Sequence, residues 1–503
     1  MREQLVRDLF GTTQEERAGQ TADDDDNSSN STRDMRFKEM LQHFLRMPEM
    51  LVDIEFYFAV TMLSLTENIL SLLLLPLKCL VAFSRFERRD AVALVLIIFG
   101  ILTYGSLSLY TTQLYAYLYH VVRRTSFIKL VMVFNILEVA DRLLSALSQE
   151  AIEVLTVCVQ GWGRGSTAYY KKSSVMVQRS LWLPFGSALV SAVCVAAHAV
   201  TLLLSVVTLN VAVNAEGHLL LALMISNNFS EVKGVAYKKH NRESLLQVAA
   251  ADAIERLKFF LFVLVMVIQH MHERFDVLDI ADTLLILIAE VFIDYVKHLF
   301  VAKFNGISLG VYRCYSQLAL VDMASETVLW RLEGIQVQCV DDPLTDTDDV
   351  RGLLSPSAGF FPKYVKRTGF IPVPYVALLL WSIYPFASLL LARAPLLFVL
   401  TIAAIVFLKV LVSEFIRGIA SRFVVRSLIA VNPRKHRTNS GGTNAVSDLP
   451  FGVSPLGTPS LTPQEPPPLN VGSESVVTLQ LSSFLCSLLK LDPFDLQAGK
   501  SKK

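Results

Sequence analysis

Charge is scarce in this sequence. Lys, Arg, Asp and Glu together make up 18% of its 503 residues, against about a quarter in ordinary soluble domains. Basic and acidic residues nearly cancel, which leaves a net charge of +1. Because no overall positive field is available to attract a polyanion, we expect no nucleic acid among the partners.

Cysteine is also scarce, with six residues in the chain and no CxxC pair. Neither a disulfide framework nor a zinc site is expected from such scattered thiols. Walker A, GxSxG and HExxH motifs are missing too, and the GWGRG stretch at 161–165 follows a helical pattern instead of a strand. We therefore expect a protein that is not an enzyme and has no cofactor or metal site.

Apolar residues are abundant: 53% of the chain is hydrophobic, and the mean hydropathy is +0.46. They occur in blocks long enough to cross the ~30 Å hydrocarbon core of a lipid bilayer. The sequence predicts an all-α polytopic membrane protein with six to seven spans, amphipathic interfacial helices and disordered tails. The predicted spans are 56–77, 91–119, 181–209, 283–302, 374–392 and 395–413, with a doubtful short segment at 257–271.

Both ends of the chain differ in composition from this membrane domain, which covers residues 36–430. Residues 1–33 are polar and include an acidic run, and 432–503 are rich in Ser and Pro, so both tails are predicted to be disordered. Residues 36–50 alternate basic and apolar side chains at helical spacing, which predicts a helix on the membrane surface. A late apolar stretch, VVTLQLSSFLCSLLKL, could form a docking helix.

One long amphipathic helix is predicted at 127–160, since no Gly or Pro interrupts it before Gly161. Five polar residues of this helix follow one another at spacings of three and four, which places them on one side, and Asp141 flanks them. They are Asn135, Glu138, Arg142, Ser145 and Gln149. The stripe could be the polar face of a helix on a membrane or in a bundle. Alternatively, it could bind a partner or line a water path.

A second polar group lies inside the apparent span 283–302. Glu290, Asp294, Lys297 and His298 share one helix face there. Ionised groups in the membrane usually pair with one another or face a cavity. The group could be an interhelical clamp in which Asp294 pairs with Lys297, or it could relay protons or bind a cation.

Three further charged residues accompany apolar segments. Arg256 and Lys258 could extend the short segment 257–271 by snorkelling to the membrane surface. Glu67 has no partner in its own helix, so we expect it to meet a Lys or His from another one.

The block MISNNFSEVKGVAYKKH begins with apolar residues and ends with basic ones. An interfacial helix held by lipid phosphates would have this pattern, and so would a docking site for a partner. The polar residues concerned are Asn227, Asn228, Glu231, Lys233, Lys238 and Lys239.

Several of these stretches resemble one known family, the transmembrane anterior posterior transformation proteins. They are FIKLVMVFNILEVADRLLSALSQE, TLNVAVN, LLLALMISNNFSEVKGVAYKKH, DYVKHLFVAKFNGI, YSQLALVDM and RTGFIPVP, which occur in the family's order over roughly residues 36–430. The motif positions include Asn135, Glu138, Asp141 and Arg142. They also include the 227–239 residues just named and Asp294, Lys297 and His298, followed by Lys303, Phe304 and Asn305.

The resemblance implies a multi-pass protein of the endoplasmic reticulum membrane that is not an enzyme. It implies a scaffold or quality-control factor in the folding or protection of newly made proteins, with a membrane partner that carries a SUN-like domain. Roles in the secretory pathway or at the ciliary base are also implied. An ion or small-solute channel or transporter that uses Glu290, Asp294 and His298 is the alternative.

Overall fold

The structure is a computed structural model, and every structural statement below concerns the part of the chain that it describes. The described residues are 24–81, 87–110, 114–124, 127–161, 182–213, 234, 238–270, 277–307, 310–327, 336–339, 361–423, 429–431 and 477–481. The chain divides into two compact units, Met1–Val52 and Asp53–Lys503.

Helices account for nearly all of the described residues, which confirms the all-α class. In chain order they are α1 (Asp24–Leu73), α2 (Leu75–Val81), α3 (Arg88–Tyr110), α4 (Leu114–Arg123), α5 (Phe127–Gly161), α6 (Trp182–Val213), α7 (Arg242–His270), α8 (Val277–Phe304), α9 (Val311–Thr327), α10 (Lys363–Thr368), α11 (Pro372–Arg393) and α12 (Pro395–Phe423). Three short strands, β1 (Gln336–Cys339), β2 (Ile429–Val431) and β3 (Val477–Leu481), form a small sheet in the order β1-β3-β2. In this sheet β3 is parallel to β1 and antiparallel to β2.

Parts of both predicted tails have secondary structure among the described residues. Helix α1 begins at Asp24. Strand β3 takes up the first part of the late apolar stretch that was considered a docking helix. Its apolar residues Val477, Leu479 and Leu481 alternate with polar ones, which is the period of a strand. The other residues of these tails lie outside the described ones.

Five helices among the described residues are long and apolar enough to cross a membrane: Pro48–Leu73, Arg88–Leu107, Pro184–Ala212, Pro372–Arg393 and Pro395–Arg422. They correspond to five of the predicted spans, and a multi-pass membrane protein is confirmed. Predicted span 91–119 is shorter than expected, because α3 ends at Tyr110 and α4 is a separate helix. The segments 257–271 and 283–302 lie in the more charged helices α7 and α8, so their crossing stays a prediction.

Helices α3 and α11 pack closely and run parallel. A Cβ atom added to Gly100 would lie 2.7 Å from the Ala377 Cβ, so only glycine fits at this crossing. One turn further along both helices, the rings of Tyr104 and Trp381 lie 6.3 Å apart. Since both contacts advance by four residues in the same direction, the two helices enter the membrane from the same face.

Helix α6 runs parallel to α3 as well. The Gly100 position faces Val195 at 3.8 Å, and one turn later the Tyr104 hydroxyl donates a 2.9 Å hydrogen bond to the Ala199 carbonyl. Both α3 and α6 thus cross the membrane in one direction, and the chain must return across it between them.

Of the described helices between them, α5 is the one long enough to make this return, although it is more charged than the five apolar helices above, so we infer its crossing from its length. Its 35 residues extend over about 52 Å, whereas the 10 residues of α4 reach only about 15 Å. It packs along α6 over much of its length. The bundle position, one of the two settings considered for this amphipathic helix, is therefore the one observed. Its boundaries agree with those predicted, because Gly161 ends it.

Helices α7 and α8 are antiparallel. Asp252 of α7 contacts Lys297 of α8, and one turn later Arg256 contacts Asp294. The residue numbers of successive contacts therefore rise along α7 and fall along α8. The short α10 ends at Gly369, which has φ 77° and returns its backbone N–H to the Lys366 carbonyl. This left-handed turn suits glycine, and it brings α10 into position beside α5 and α7.

Two buried polar clusters joined by helix α7

Helix α7 carries charged residues on two sides near its middle. Asp252 and Arg256, four residues apart, project to one side, and Glu255 and Lys258 project to the other. Asp252 and Arg256 are 1% and 3% exposed. Instead of extending away from the bundle, Arg256 is buried and Lys258 is half-buried, and both pair with carboxylates of neighbouring helices.

The first cluster, which we name the Asp141 cluster, consists of Asp141, His198, Lys258 and Tyr375. Lys258 Nζ lies 2.7 Å from Asp141 Oδ2, and His198 Nε2 lies 2.7 Å from Oδ1. The Tyr375 hydroxyl donates to Oδ1 at 3.2 Å. Four helices, α5, α6, α7 and α11, thus meet at one carboxylate that is 5% exposed.

The edge of the Asp141 cluster is more open. Arg142 donates to Glu138, four residues earlier in α5, at 2.6 Å, and its guanidinium lies 3.6 Å from Glu255 of α7. The Arg142 side chain is 47% exposed, and that of Glu138 is 15% exposed. A cavity of about 310 Å³ borders this edge and also contacts Gln149, so the polar stripe of α5 faces α7 and α10.

The second cluster, which we name the Asp294 cluster, surrounds the predicted intramembrane residues. Its members are Glu55, Asp252, Arg256, Asp294, Lys297, His298 and Tyr312. Arg256 is its centre: its Nε donates to Asp294 at 2.7 Å and its Nη1 donates to Glu55 at 3.1 Å. The guanidinium carbon also lies 4.3 Å from the centre of the Phe58 ring, a cation–π distance.

The rest of the Asp294 cluster centres on Asp252. Lys297 Nζ lies 2.8 Å from one carboxylate oxygen of Asp252, and His298 Nε2 lies 2.9 Å from the other. The Tyr312 hydroxyl of α9 is 2.8 Å from His298 Nδ1. The predicted Asp294–Lys297 pair is confirmed at 3.3 Å. Each of these residues is at most 2% exposed.

Each of the four residues predicted as an intramembrane group is buried: Glu290 4%, Asp294 2%, Lys297 2% and His298 0% exposed. Breaking a buried ion pair by removing one partner typically costs about 3–5 kcal/mol, because the other charge is left uncompensated. The arrangement can therefore hold helices together. No group of three or more His, Cys, Asp or Glu with metal-binding geometry occurs among the described residues.

A third buried pair ties α9 to α10. Arg367 Nε donates to Asp322 at 2.8 Å, with side-chain exposures of 2% and 0%. On the same short helix, Lys366 pairs with Glu153 of α5. Burial lowers the pKa of the Lys363 ammonium below its usual value, although Asp322 and Glu326 oppose this shift.

The other residues singled out from the sequence are placed as follows. Asn135 is half-buried, and its Oδ1 has no hydrogen-bond partner in the described residues. Lys238 and Lys239 are exposed, whereas Asn227, Asn228, Glu231 and Lys233 lie outside the described residues. Binding of a partner by any of them stays a prediction, and Asp141 is engaged inside the chain. Glu67 meets Lys409 of α12 at 3.9 Å, which agrees with the expectation of a lysine or histidine from another helix.

Sequence reasoning missed the residues that complete the two clusters. Asp252 stands four residues before Arg256 in the sequence, which was a usable signal, but both lie outside an apolar run. His198 lies alone in an uncharged span, and Tyr312 and Tyr375 resemble ordinary interface tyrosines. No local pattern links any of them to a carboxylate on a distant helix.

Comparison with known proteins gives a consistent assignment. The family model described as a eukaryotic membrane protein family matches residues 83–425. A Drosophila melanogaster protein named "Protein TAPT1 homolog" is 29% identical over 340 residues, which are 66% of this chain and 43% of that protein. The Mus musculus "Transmembrane anterior posterior transformation protein 1" is 30% identical over 272 residues, 53% of this chain and 42% of that protein.

A Dictyostelium discoideum "Protein TAPT1 homolog" is 34% identical over 209 residues, 39% of this chain and 25% of that protein. The chain thus spans less than half the length of these relatives. No solved structure matches it. Because the family model covers more than half of the chain and the relatives agree with it, the chain belongs to this eukaryotic membrane protein family, that of the transmembrane anterior posterior transformation proteins.

Proposed function

We propose that this protein is a non-enzymatic scaffold or quality-control factor of the endoplasmic reticulum membrane. It would hold a membrane protein partner with a SUN-like domain and serve the folding or protection of newly made proteins. The identity of the proteins that it protects would determine whether it acts in the secretory pathway or at the ciliary base. The family resemblance supplies this proposal, and the packing of the two clusters supports it.

The observation that carries the proposal is how the buried charges are used. In the Asp294 cluster the carboxylates of Asp252 and Asp294 are within 3.3 Å of a cation from the same chain. In the Asp141 cluster one carboxylate joins four helices. Groups engaged in this way make a rigid frame, which a scaffold needs, and they are not free to react with a substrate.

The alternative function, a channel or transporter, has less support from the same groups. A conduction path requires polar side chains that face water or a cavity, yet Glu290, Asp294 and His298 are at most 4% exposed. We expect proteoliposomes that contain the protein to pass no more ions than empty ones. A flux that the Asp294→Asn substitution abolishes would favour the transporter instead.

The experiment that tests the scaffold proposal is mass spectrometry of proteins that copurify with the tagged chain from gently solubilised membranes. We expect one membrane protein with a domain in the reticulum lumen to be recovered in stoichiometric amount. A preparation that contains the chain alone, from cells in which it is correctly localised, would contradict the proposal.

A charge reversal locates the contact surface. Lys238 and Lys239 are adjacent predicted partner-binding residues that the structure leaves exposed, as it does Arg142. Reversing both charges should reduce recovery of the partner about tenfold, which corresponds to ~1.4 kcal/mol. The matched control reverses Arg123 and Arg124, an exposed basic pair at the end of α4, and should leave recovery unchanged. Equal recovery with both variants would exclude this surface.

A further inference from the structure

A second cavity, of about 630 Å³, lies apart from both clusters, at the end of the membrane bundle. It is bounded by the C-terminal end of α1, by α2, by the start of α3, by the middle of α12 and by Glu326, Phe361 and Pro362. Its volume is within the range of roughly 300–1,000 Å³ that small-molecule sites occupy. Lipid headgroups lie where transmembrane helices end, so this is the depth at which an amphipathic ligand would meet the protein.

One wall of the cavity carries a lysine that lies in an otherwise uncharged stretch of its helix. Lys409 is the single charged residue between Arg393 and Glu414. Its Nζ lies 3.9 Å from Glu67 Oε1, an ion-pair contact that is too long for a hydrogen bond. Glu67 accepts a 3.4 Å hydrogen bond from Ser71. A charge of this kind in an apolar helix is costly unless it has a function or a close partner.

Beside this pair, Asn68 is 7% exposed and lines the same cavity. Its Oδ1 is buried and has no hydrogen-bond partner within the described residues. A buried acceptor without a donor is costly, and a ligand that carries an N–H group would satisfy it. The cavity therefore presents an acceptor beside a carboxylate, which is a site for a primary ammonium group.

Other residues of the cavity wall supply a second ion pair and apolar surface. Lys78 pairs with Asp90 at 2.6 Å, with the lysine side chain 42% exposed, so this pair can rearrange around an anion. Leu72, Leu75 and Val406 supply apolar walls. The outward face of α12 next to the cavity is apolar and exposed, at Phe407, Val410 and Leu411 among others.

We propose that this cavity binds phosphatidylethanolamine. Lys409 and Lys78 would hold the phosphate, and Glu67 and Asn68 would accept hydrogen bonds from the ammonium group. The acyl chains would lie along the exposed face of α12. Phosphatidylcholine has the same phosphate and charge, but its trimethylammonium group has no N–H to donate to Asn68 and Glu67. The site should therefore prefer the ethanolamine headgroup, independently of the scaffold function proposed above.

The test uses the full chain reconstituted in bilayers with equal amounts of the two phospholipids, followed by extraction in mild detergent and native mass spectrometry of bound lipid. We expect bound phosphatidylethanolamine to exceed bound phosphatidylcholine about tenfold, the ratio that one charge-assisted hydrogen bond implies. An excess of soluble phosphoethanolamine should displace little of it, because the acyl chains contribute to binding. Complete displacement would assign the site to a free phosphate compound and overturn the lipid proposal.

Two variants and a control keep the test decisive. Lys409→Met should abolish retention of either lipid, and Asn68→Leu should reduce the preference for ethanolamine while phosphate binding persists. Arg417→Gln, on the same helix but paired with Glu414 at the surface, should retain wild-type binding and preference. Equal binding of the two lipids by the wild-type chain, or an unchanged preference in Asn68→Leu, would overturn the proposal, even if Lys409→Met failed to fold.

Discussion

Arg256 shows how much a single side chain contributes to this bundle. Its guanidinium bonds Asp294 and Glu55 at once and stacks over Phe58. Lysine has the same charge but a compact ammonium group that cannot reproduce this forked geometry. At the residue scale, then, the shape of the cation matters as much as its charge.

We predict that Arg256→Lys lowers the free energy of unfolding by about 1.5–3 kcal/mol, the value of a hydrogen bond to a charged group. Thermal unfolding of the purified protein in detergent measures this loss. Arg142→Lys is the matched control: its side chain is 47% exposed, and exposed pairs contribute about 0–1 kcal/mol. Equal effects of the two substitutions would show that Arg256 acts only as a charge.

Lys363 offers a prediction on pH dependence. Because burial lowers the pKa of its ammonium group in the folded state, the unfolded chain binds more protons, and stability rises as the pH rises through the folded pKa. Lys363→Met should therefore raise the unfolding temperature at pH 7, with a smaller gain near pH 10. Lys366→Met, which removes the pair with Glu153, should lower the unfolding temperature. A loss in Lys363→Met at pH 7 would contradict the assignment.

At the scale of elements, the close approach of α3 and α11 depends on one glycine. The added Cβ of an alanine at position 100 would lie 2.7 Å from the Ala377 Cβ, which is closer than van der Waals contact allows. A Cβ atom added at Gly105 would lie 3.8 Å from the edge of the Trp381 ring, which is an ordinary van der Waals distance. Small residues commonly permit such approaches between membrane helices.

We predict that Gly100→Ala destabilises the protein by about 1–3 kcal/mol, the usual cost of overpacking. Gly105→Ala should be neutral or stabilise by up to about 1 kcal/mol, since alanine is the better helix former. Adding Ala377→Gly to Gly100→Ala should restore most of the loss. Unfolding curves of the three variants decide this, and a failure of Ala377→Gly to rescue Gly100→Ala would place the strain elsewhere.

How far the sequence predicts the structure differs between elements. The bounds of α5 and the presence of five of the spans follow from local signals, namely uninterrupted apolar runs and, for α5, the glycine at its C-terminal end. The pairing of His198 with Asp141, or of Asp252 with Lys297, depends on which helices become neighbours, and this information is not local. The late strand β3 was also missed, because its partners β1 and β2 are distant in the chain.

For the whole molecule, the parallel arrangement of α3 and α6 sets the membrane topology. Helix α2 lies at the face where α3 begins, since Lys78 pairs with Asp90. If α5 crosses the membrane, its C-terminal end returns to that same face. Cys79 in α2 and Cys158 near the end of α5 should then be accessible from one side.

This topology is tested with variants that keep a single native cysteine and a membrane-impermeant maleimide. We expect Cys79 and Cys158 to be labelled from the same face. A cysteine introduced by Tyr117→Cys, at an exposed position of α4, should be labelled from the opposite one. Labelling of Cys158 together with position 117 would mean that α5 does not cross.

The central claim is that charges on different helices clamp the bundle together. A double-mutant cycle between Asp141 and Lys258, read by unfolding in detergent, tests it most directly. Asp141→Asn and Lys258→Met should each cost about 3–5 kcal/mol, and the double variant should cost about 1–3 kcal/mol less than their sum. The same cycle on the more exposed Glu138–Arg142 pair should give a coupling of only about 0.2–0.5 kcal/mol. Additive losses at Asp141 and Lys258 would contradict the account.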